Sequence, residues 1–176
     1  ARADQIVEEF TTSCLLGTGQ FCTNPGLVLL IGGAASEGFL AAAAARFAAA
    51  PVGPLLSAGV QRTLQESLGQ LLAAGAQRLT EDRVPDQPGF RCANTLLRVD
   101  GTTFLRSPEA FQREAFGNAA LVVVVDDGDE LCRVVASLEG NLTGCIYSDL
   151  AGGDDAICDR VAPLLRERVG RLLNDK

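Results

Sequence analysis

The sequence feature that most constrains the fold is the run AALVVVVDD at residues 119–127, in which four consecutive valines are followed by two acidic residues. β-Branched side chains pack well on a pleated surface and are restricted in helices. We therefore predict the strongest strand of the chain at this position. A second apolar run, GLVLLIGG at residues 26–33, is bounded by glycines. It is typical of a strand that is buried on both faces.

Helical patterns alternate with these strands. Residues 3–16 and residues 60–74 each place their larger apolar side chains on one face at a period of 3.6. The alternation predicts an α/β fold with a largely parallel sheet and right-handed crossovers, in a single domain that covers residues 1–176. The other predicted elements are a helix at 37–50 capped by Ser36, strands at 77–80, 94–101 and 142–149, a brief helix within 107–117, a helix at 128–139 closed by Gly140, and a helix from Asp154 to the chain end with Pro163 inside it.

Charge and hydropathy patterning exclude several classes of function. The formal net charge is −7, which argues against non-specific binding to nucleic-acid phosphates. Apolar stretches fall short of the roughly 18 residues that a membrane-spanning helix needs. The first ten residues carry three acidic side chains, which is unlike a secretory signal. We expect no nucleic-acid partner, no membrane partner and a cytoplasmic location.

The chain has six cysteines at wide, irregular spacings and no histidine. Zinc sites are usually built from paired cysteines and histidines, so we expect no metal site. The lack of histidine also excludes Ser-His-Asp and Cys-His catalysis within these residues. We expect the cysteines to be reduced thiols.

One cysteine lies in a turn rather than in a predicted helix or strand. Cys22 stands within GTGQFCTNPG, just before the apolar run of the strand at 26–33. Gly17 and Gly19 allow close backbone approach there, and Asn24-Pro25 favours a turn. A cysteine held in this way can face a cleft and react as a thiolate. The alternative is that Cys22 is a small buried apolar residue.

Two motifs give the chain a resemblance to a known family. The segment GQFCTNPGLVLL resembles the active-site segment of the aldehyde dehydrogenase superfamily, in which Gly-Gln-x-Cys surrounds the catalytic cysteine. Its Phe-Cys-Thr-Asn-Pro-Gly form is most like the branch that oxidises α-ketoglutarate semialdehyde. The segment REAFGNAALVV, 92 residues further on, resembles the family's Glu-x-Phe-Gly-Pro motif. The order of the remaining elements is also similar, so the resemblance covers essentially the whole chain.

The resemblance implies a function for each matching residue. Cys22 is implied to be the nucleophile that attacks an aldehyde, giving a thiohemiacetal and then a thioester, with its backbone N–H stabilising the oxyanion. Glu114 is implied to bind the nicotinamide ribose, and Phe116 to pack beside it. Phe21 and Thr23 are implied to line the aldehyde tunnel. The family further implies a three-layer α/β/α catalytic domain, NAD or NADP as cofactor, a small aldehyde as substrate and a homo-oligomer as the full-length protein.

Some residues depart from the family pattern, and other functions remain open. The usual proline after Phe-Gly is Asn118 here, and the chain has no G-x-G-x-x-G segment or matching upstream general base. We therefore expect a catalytic domain without the preceding dinucleotide-binding domain, inactive when isolated. Taken alone, Glu114 could be a solvated helix residue and Phe116 a core residue. The alternative functions are a non-catalytic α/β assembly module with a vestigial Cys22, and a cofactor-independent thiol redox protein.

Overall fold

The valine run forms the centre of a four-stranded sheet in the computed structural model, which describes residues 2–174. The strand order is β1-β4-β3-β2, with β1, β3 and β4 mutually parallel and β2 antiparallel to β3. All seven residues of β4 are buried. The strands are β1 (Leu27–Ile31), β2 (Gln77–Arg78), β3 (Thr95–Asp100), β4 (Ala119–Val125), β5 (Asn141–Ile146) and β6 (Val169–Asn174).

Helices cover both faces of this sheet. The helices are α1 (Arg2–Leu15), α2 (Ala34–Ala49), α3 (Ala58–Ala73), α4 (Gly101–Arg106), α5 (Pro108–Phe111), α6 (Gly128–Ala136) and α7 (Asp155–Arg166). Successive β4 side chains point to opposite faces, so Val122 packs in a core with α1 and α2, whereas Val123 packs in a second core with α3, α4 and α6. Each fully buried valine contributes about 1.5–3 kcal/mol relative to an exposed one. The predicted three-layer α/β/α fold with a mostly parallel sheet is confirmed.

The prediction that the strand at residues 26–33 is buried on both faces is wrong. β1 pairs with β4 alone among the described strands, and its side chains are half-buried, with Ile31 exposed. An edge strand has a neighbour on one side only, so its side chains are less completely covered than those of β4.

The predicted helix from Asp154 to the chain end is wrong in its second half. The helix α7 ends at Arg166, and residues 169–174 form β6, which pairs in parallel with β5 as a separate two-stranded sheet. Pro163 lies inside α7. The strand forms because β5 supplies its hydrogen-bond partners, which local periodicity does not reveal.

Three helix ends also differ from prediction. Helix α2 begins at Ala34, so Ser36 lies in its first turn and donates its hydroxyl to the Ile31 carbonyl instead of capping the helix. Helix α6 ends at Ala136 with Ser137 as its C-cap, and Gly140 lies beyond it. The brief helix predicted within 107–117 is only α5, which leaves Glu114 and Phe116 in a loop.

Hydropathy gives no membrane-crossing element in the part of the chain that the structure describes. None of the helices between residues 2 and 174 is both long enough and apolar enough to cross a bilayer.

Candidate active site

The two motifs lie at the same edge of the sheet. Cys22 precedes the first residue of β1 by five positions, and Glu114 precedes the first residue of β4 by five positions. Because β1 and β4 are adjacent and parallel, with Leu27 opposite Leu121, the loops that enter them come from the same side. The candidate site therefore lies at the amino ends of the parallel strands rather than at their carboxyl ends, where ligands usually bind in open α/β sheets.

Cys22 occupies the centre of a tight turn. The Asn24 backbone N–H donates to the Phe21 carbonyl oxygen (3.1 Å), so Cys22 and Thr23 are the two central residues of the turn. The side chains of Cys22 and Thr23 are exposed, and Phe21 is 48% exposed. The three residues predicted to form or flank the nucleophile are therefore all accessible.

The three residues at positions 17–19, which precede this turn, have left-handed backbone conformations. Gly17, Thr18 and Gly19 have φ values of 57°, 58° and 68°. Thr18 is 8% exposed, and a positive φ at a β-branched residue is unfavourable by about 1–2 kcal/mol, so tertiary contacts hold it there. One such contact is the 51–54 loop: a β-carbon at Gly53 would stand 2.1 Å from the Thr18 hydroxyl.

The Cys22 turn packs directly against the loop that carries Glu114 and Phe116. A β-carbon added to Gly19 would lie 2.0 Å from the Gly117 carbonyl oxygen, so the two backbones are in contact. The Asn24 side-chain amide donates to the Gly19 carbonyl (3.1 Å) and to the Gly117 carbonyl (3.0 Å). The expected close approach at Gly19 is confirmed, and the two motifs meet through Gly117.

A second amide ties the turn to the segment between α2 and α3. The Gln20 side chain donates to the Gly17 carbonyl (3.0 Å) and more weakly to the Pro54 carbonyl (3.4 Å). Its oxygen accepts the Leu56 backbone N–H (2.8 Å). Gln20 belongs to the Gly-Gln-x-Cys segment, and these contacts show how that residue fixes the turn.

The loop before β4 presents groups that suit a dinucleotide. Glu114 is exposed and makes no hydrogen bond or ion pair with another described residue, while Phe116 is half-buried two positions later. A carboxylate accepts hydrogen bonds from the hydroxyl groups of a ribose, and an aromatic face packs against flat apolar rings. The chemistry of these two side chains therefore fits an NAD or NADP ribose and nicotinamide.

Asn118, which replaces the family's usual proline, is fully buried at 0% exposure. Its side-chain amide donates to the Cys92 carbonyl (2.9 Å) and to the Asn94 side-chain oxygen (2.7 Å), and its backbone carbonyl accepts the Thr95 N–H (2.9 Å). These bonds anchor the residue that follows Gly117. Proline has no donor group and could make neither amide bond, so the turn is rigid by a different means.

Two other thiols, those of Cys14 and Cys92, are buried, unlike that of Cys22. Burial raises the pKa of the Cys14 thiol, which is 0% exposed. Burial and the nearby Asp82 carboxylate raise the pKa of Cys92, and Arg78 opposes them weakly. A raised pKa lowers the thiolate fraction, so these two are poor nucleophiles. All six cysteines are thiols, and only Cys22 and Cys145 are exposed.

No protein-family model matches the chain. Over 173 residues it is 38% identical to α-ketoglutaric semialdehyde dehydrogenase 2 of Azospirillum brasilense, covering 98% of this chain and 32% of that protein. Over 186 residues it is 28% identical to α-ketoglutaric semialdehyde dehydrogenase of Acinetobacter baylyi, again covering 98% of this chain and 32% of the relative.

The fold matches solved structures of the same class. A crystal structure of Staphylococcus aureus betaine aldehyde dehydrogenase in complex with NAD+ superposes with a TM-score of 0.76, at 19% identity, over 97% of this chain and 35% of that one. The sequence match over 98% of this chain supports the resemblance to the aldehyde dehydrogenase superfamily that the two motifs predicted, and the solved structure shares its fold. Within the superfamily, its similarity is to the α-ketoglutaric semialdehyde dehydrogenases, and it spans about a third of their length.

Proposed function

We propose that the chain is the cysteine-bearing catalytic part of an NAD(P)-dependent aldehyde dehydrogenase that oxidises a semialdehyde to a carboxylate. The observation that supports this most directly is the contact of the Cys22 turn with the Glu114–Phe116 loop through Gly117. The names of the similar sequences support a semialdehyde substrate. The proposal includes a cytoplasmic location and a homo-oligomeric full-length protein.

The proposed reaction begins at the Cys22 sulfur. The thiolate forms a C–S bond with the aldehyde carbon, and the carbonyl electron pair moves to the oxygen, which the Cys22 backbone N–H stabilises. Bound NAD or NADP supplies the acceptor for the hydride that the adduct then loses. The resulting Cys22 thioester is cleaved by water, which releases the carboxylate and returns the thiol.

The flanking residues have distinct functions in this proposal. Phe21 and Thr23 are exposed beside the nucleophile and line the approach of the aldehyde. Glu114 accepts hydrogen bonds from ribose hydroxyls, and Phe116 packs against the ribose and nicotinamide. Because Gly117 joins this loop to the Cys22 turn, the substrate and the cofactor would be held at a fixed separation.

A test that needs no cofactor uses the activated ester p-nitrophenyl acetate. The Cys22 thiolate attacks the ester carbonyl, the C–O bond breaks, and p-nitrophenolate leaves, so that one acetyl group remains on sulfur. We expect a burst of one p-nitrophenolate per chain with acetylation mapped to Cys22. The rate should exceed that at Cys145 by at least about tenfold, because an oriented N–H stabilises the developing oxyanion.

Cys145 is the internal control, since both thiols are exposed. The variant Cys22→Ser should lose the burst and keep slow labelling at Cys145. Equal acetylation of Cys22 and Cys145 would overturn the proposal in favour of an assembly module with a vestigial cysteine. A sulfenic acid that accumulates at Cys22 with peroxide, without a burst, would instead support a thiol redox protein.

A further inference from the structure

Asn24 makes more hydrogen bonds in the candidate site than the other three residues of its turn, Phe21, Cys22 and Thr23. Its backbone N–H closes the turn onto Phe21 (3.1 Å), and its carbonyl accepts the Gly26 N–H (2.8 Å). Its side-chain amide bridges the Gly19 and Gly117 carbonyls at 3.1 and 3.0 Å. One residue therefore shapes the turn that carries Cys22 and also attaches it to the loop of the second motif.

The bridge requires a group with two donors. Two carbonyl oxygens, one from each segment, converge on the same nitrogen, and a carboxamide NH₂ supplies the two N–H bonds that they need. The Asn24 Oδ1 atom is buried and has no partner among the described residues. Rotating the amide would point this acceptor at two other acceptors, so the nitrogen is fixed toward the carbonyls.

We propose, on the basis of the proposed function above, that Asn24 is a positioning residue for Cys22. It holds the backbone N–H of Cys22 in the orientation that stabilises the oxyanion and keeps the Cys22 turn at a fixed separation from the Glu114–Phe116 loop. Loss of the bridge leaves the thiol in place and exposed but releases the turn that orients its N–H. Reactions that pass through an oxyanion should then suffer more than reactions that do not.

Two reagents separate these effects on the 176-residue chain. Acetylation by p-nitrophenyl acetate passes through a tetrahedral oxyanion, whereas alkylation by iodoacetamide displaces iodide directly and forms no oxyanion. The measured quantity is the ratio of the acetylation rate to the alkylation rate at Cys22, with each site mapped by mass spectrometry. A change in exposure or thiolate fraction alters both rates together and leaves the ratio constant.

Three substitutions grade the donor capacity at position 24. Asn24→Ser keeps one donor, Asn24→Ala keeps none, and Asn24→Asp keeps the shape but replaces the donor group with an acceptor. We expect the ratio to fall about tenfold or more for alanine and aspartate and less for serine, since loss of an oxyanion donor costs up to 10²–10³ in rate. Folding of each variant is checked by continued protection of the buried Cys14 from iodoacetamide.

The matched control is Thr102→Val at the carboxyl ends of the parallel strands, the end of the sheet that lies away from the candidate site. The Thr102 hydroxyl donates to the buried Glu130 carboxylate (3.0 Å). Its loss removes a side-chain hydrogen bond at that end of the sheet, so the ratio should stay at the wild-type value. An unchanged ratio in folded Asn24 variants, or an equal fall in Thr102→Val, overturns the inference. Absence of a wild-type burst overturns the proposed function itself.

Discussion

Gly19 and Gly117 are in backbone contact although 98 positions of sequence separate them. A β-carbon on Gly19 would stand 2.0 Å from the Gly117 oxygen and 2.8 Å from the Asn118 nitrogen. The contact joins the segment that presents Cys22 to the segment that presents Glu114. Any displacement of one segment therefore moves the other.

Gly19→Ala should be strongly destabilising and should abolish the Cys22 burst. The added methyl group overlaps a backbone atom, and alanine at a φ of 68° is itself unfavourable by about 1–2 kcal/mol. With the steric overlap, we expect the free energy of unfolding to fall by about 2–4 kcal/mol in urea titrations.

Gly69→Ala is the control for that substitution. Gly69 lies within α3, and a β-carbon there would meet no atom within 4 Å. Alanine should raise the free energy of unfolding by about 0.5–1 kcal/mol and leave the burst unchanged. Equal effects of the two substitutions would contradict the close contact at Gly19.

Asn118→Ala should cost about 2–3 kcal/mol of stability, because it leaves the buried Cys92 carbonyl and Asn94 oxygen without their donor. Asn118→Pro should be no more stable than Asn118→Ala, although proline is the family's usual residue, since the Asn94 side-chain oxygen would still lack its donor.

A double-mutant cycle with Asn94→Ala isolates the amide pair. Asn94 also donates to the Phe47 and Ala50 carbonyls, so its single substitution carries costs of its own. We expect a coupling energy of about 1 kcal/mol or more from urea titrations. Strict additivity would show that the two amides do not act together.

The sequence predicts most of this architecture because local signals and tertiary contacts agree. The valines of β4, the apolar face of α3 and the alternation of elements all give the correct layers. The wrong prediction at β6 has a physical cause. Residues 169–174 form a strand because they pair with β5, which lies more than 20 positions earlier in the sequence, and a local pattern does not reveal such a partner. The sequence does not indicate helix α4, because its cap, Asp100, is also the last residue of strand β3.

The candidate site is only partly predictable. Cys22, Glu114 and Phe116 come from motifs, and their equal five-residue spacing before parallel strands could have indicated that they share an edge. Asn24 carries no such signal for its bridge. Its acceptors are backbone carbonyls of Gly19 and Gly117, and side-chain identity says nothing of where distant carbonyls converge.

Asp100 should make the free energy of unfolding depend on pH in the acidic range. Burial acts to raise its pKa, but hydrogen bonds from the Thr103 N–H (2.7 Å) and hydroxyl (2.8 Å) outweigh burial and lower it. A carboxyl whose pKa is lowered by folding stabilises the protein above its unfolded pKa of about 4, and that contribution fades as the pH falls through the folded value.

The measurement compares wild type with Asp100→Ala at neutral pH and at about pH 3. At neutral pH the loss of this N-cap should cost about 1 kcal/mol in urea unfolding. The difference should shrink in acid. Thr103→Val removes only the hydroxyl donor, so its effect on the free energy of unfolding should be smaller than that of Asp100→Ala and should likewise shrink in acid. The same difference at both pH values would contradict the lowered pKa.

The 176-residue chain should show no sustained formation of NADH or NADPH from a semialdehyde. It has no G-x-G-x-x-G segment and no match to the family's general base, and it spans 32% of the related A. brasilense enzyme. Reduced nicotinamide is followed by its absorbance, with that relative as the positive control. The ester burst at Cys22 should persist in the same preparation, because acylation needs only the thiol and its turn. A chain that gives the burst without turnover has a working nucleophile and lacks groups for hydride transfer and hydrolysis. Sustained turnover would show that the described residues bind the cofactor and activate water unaided.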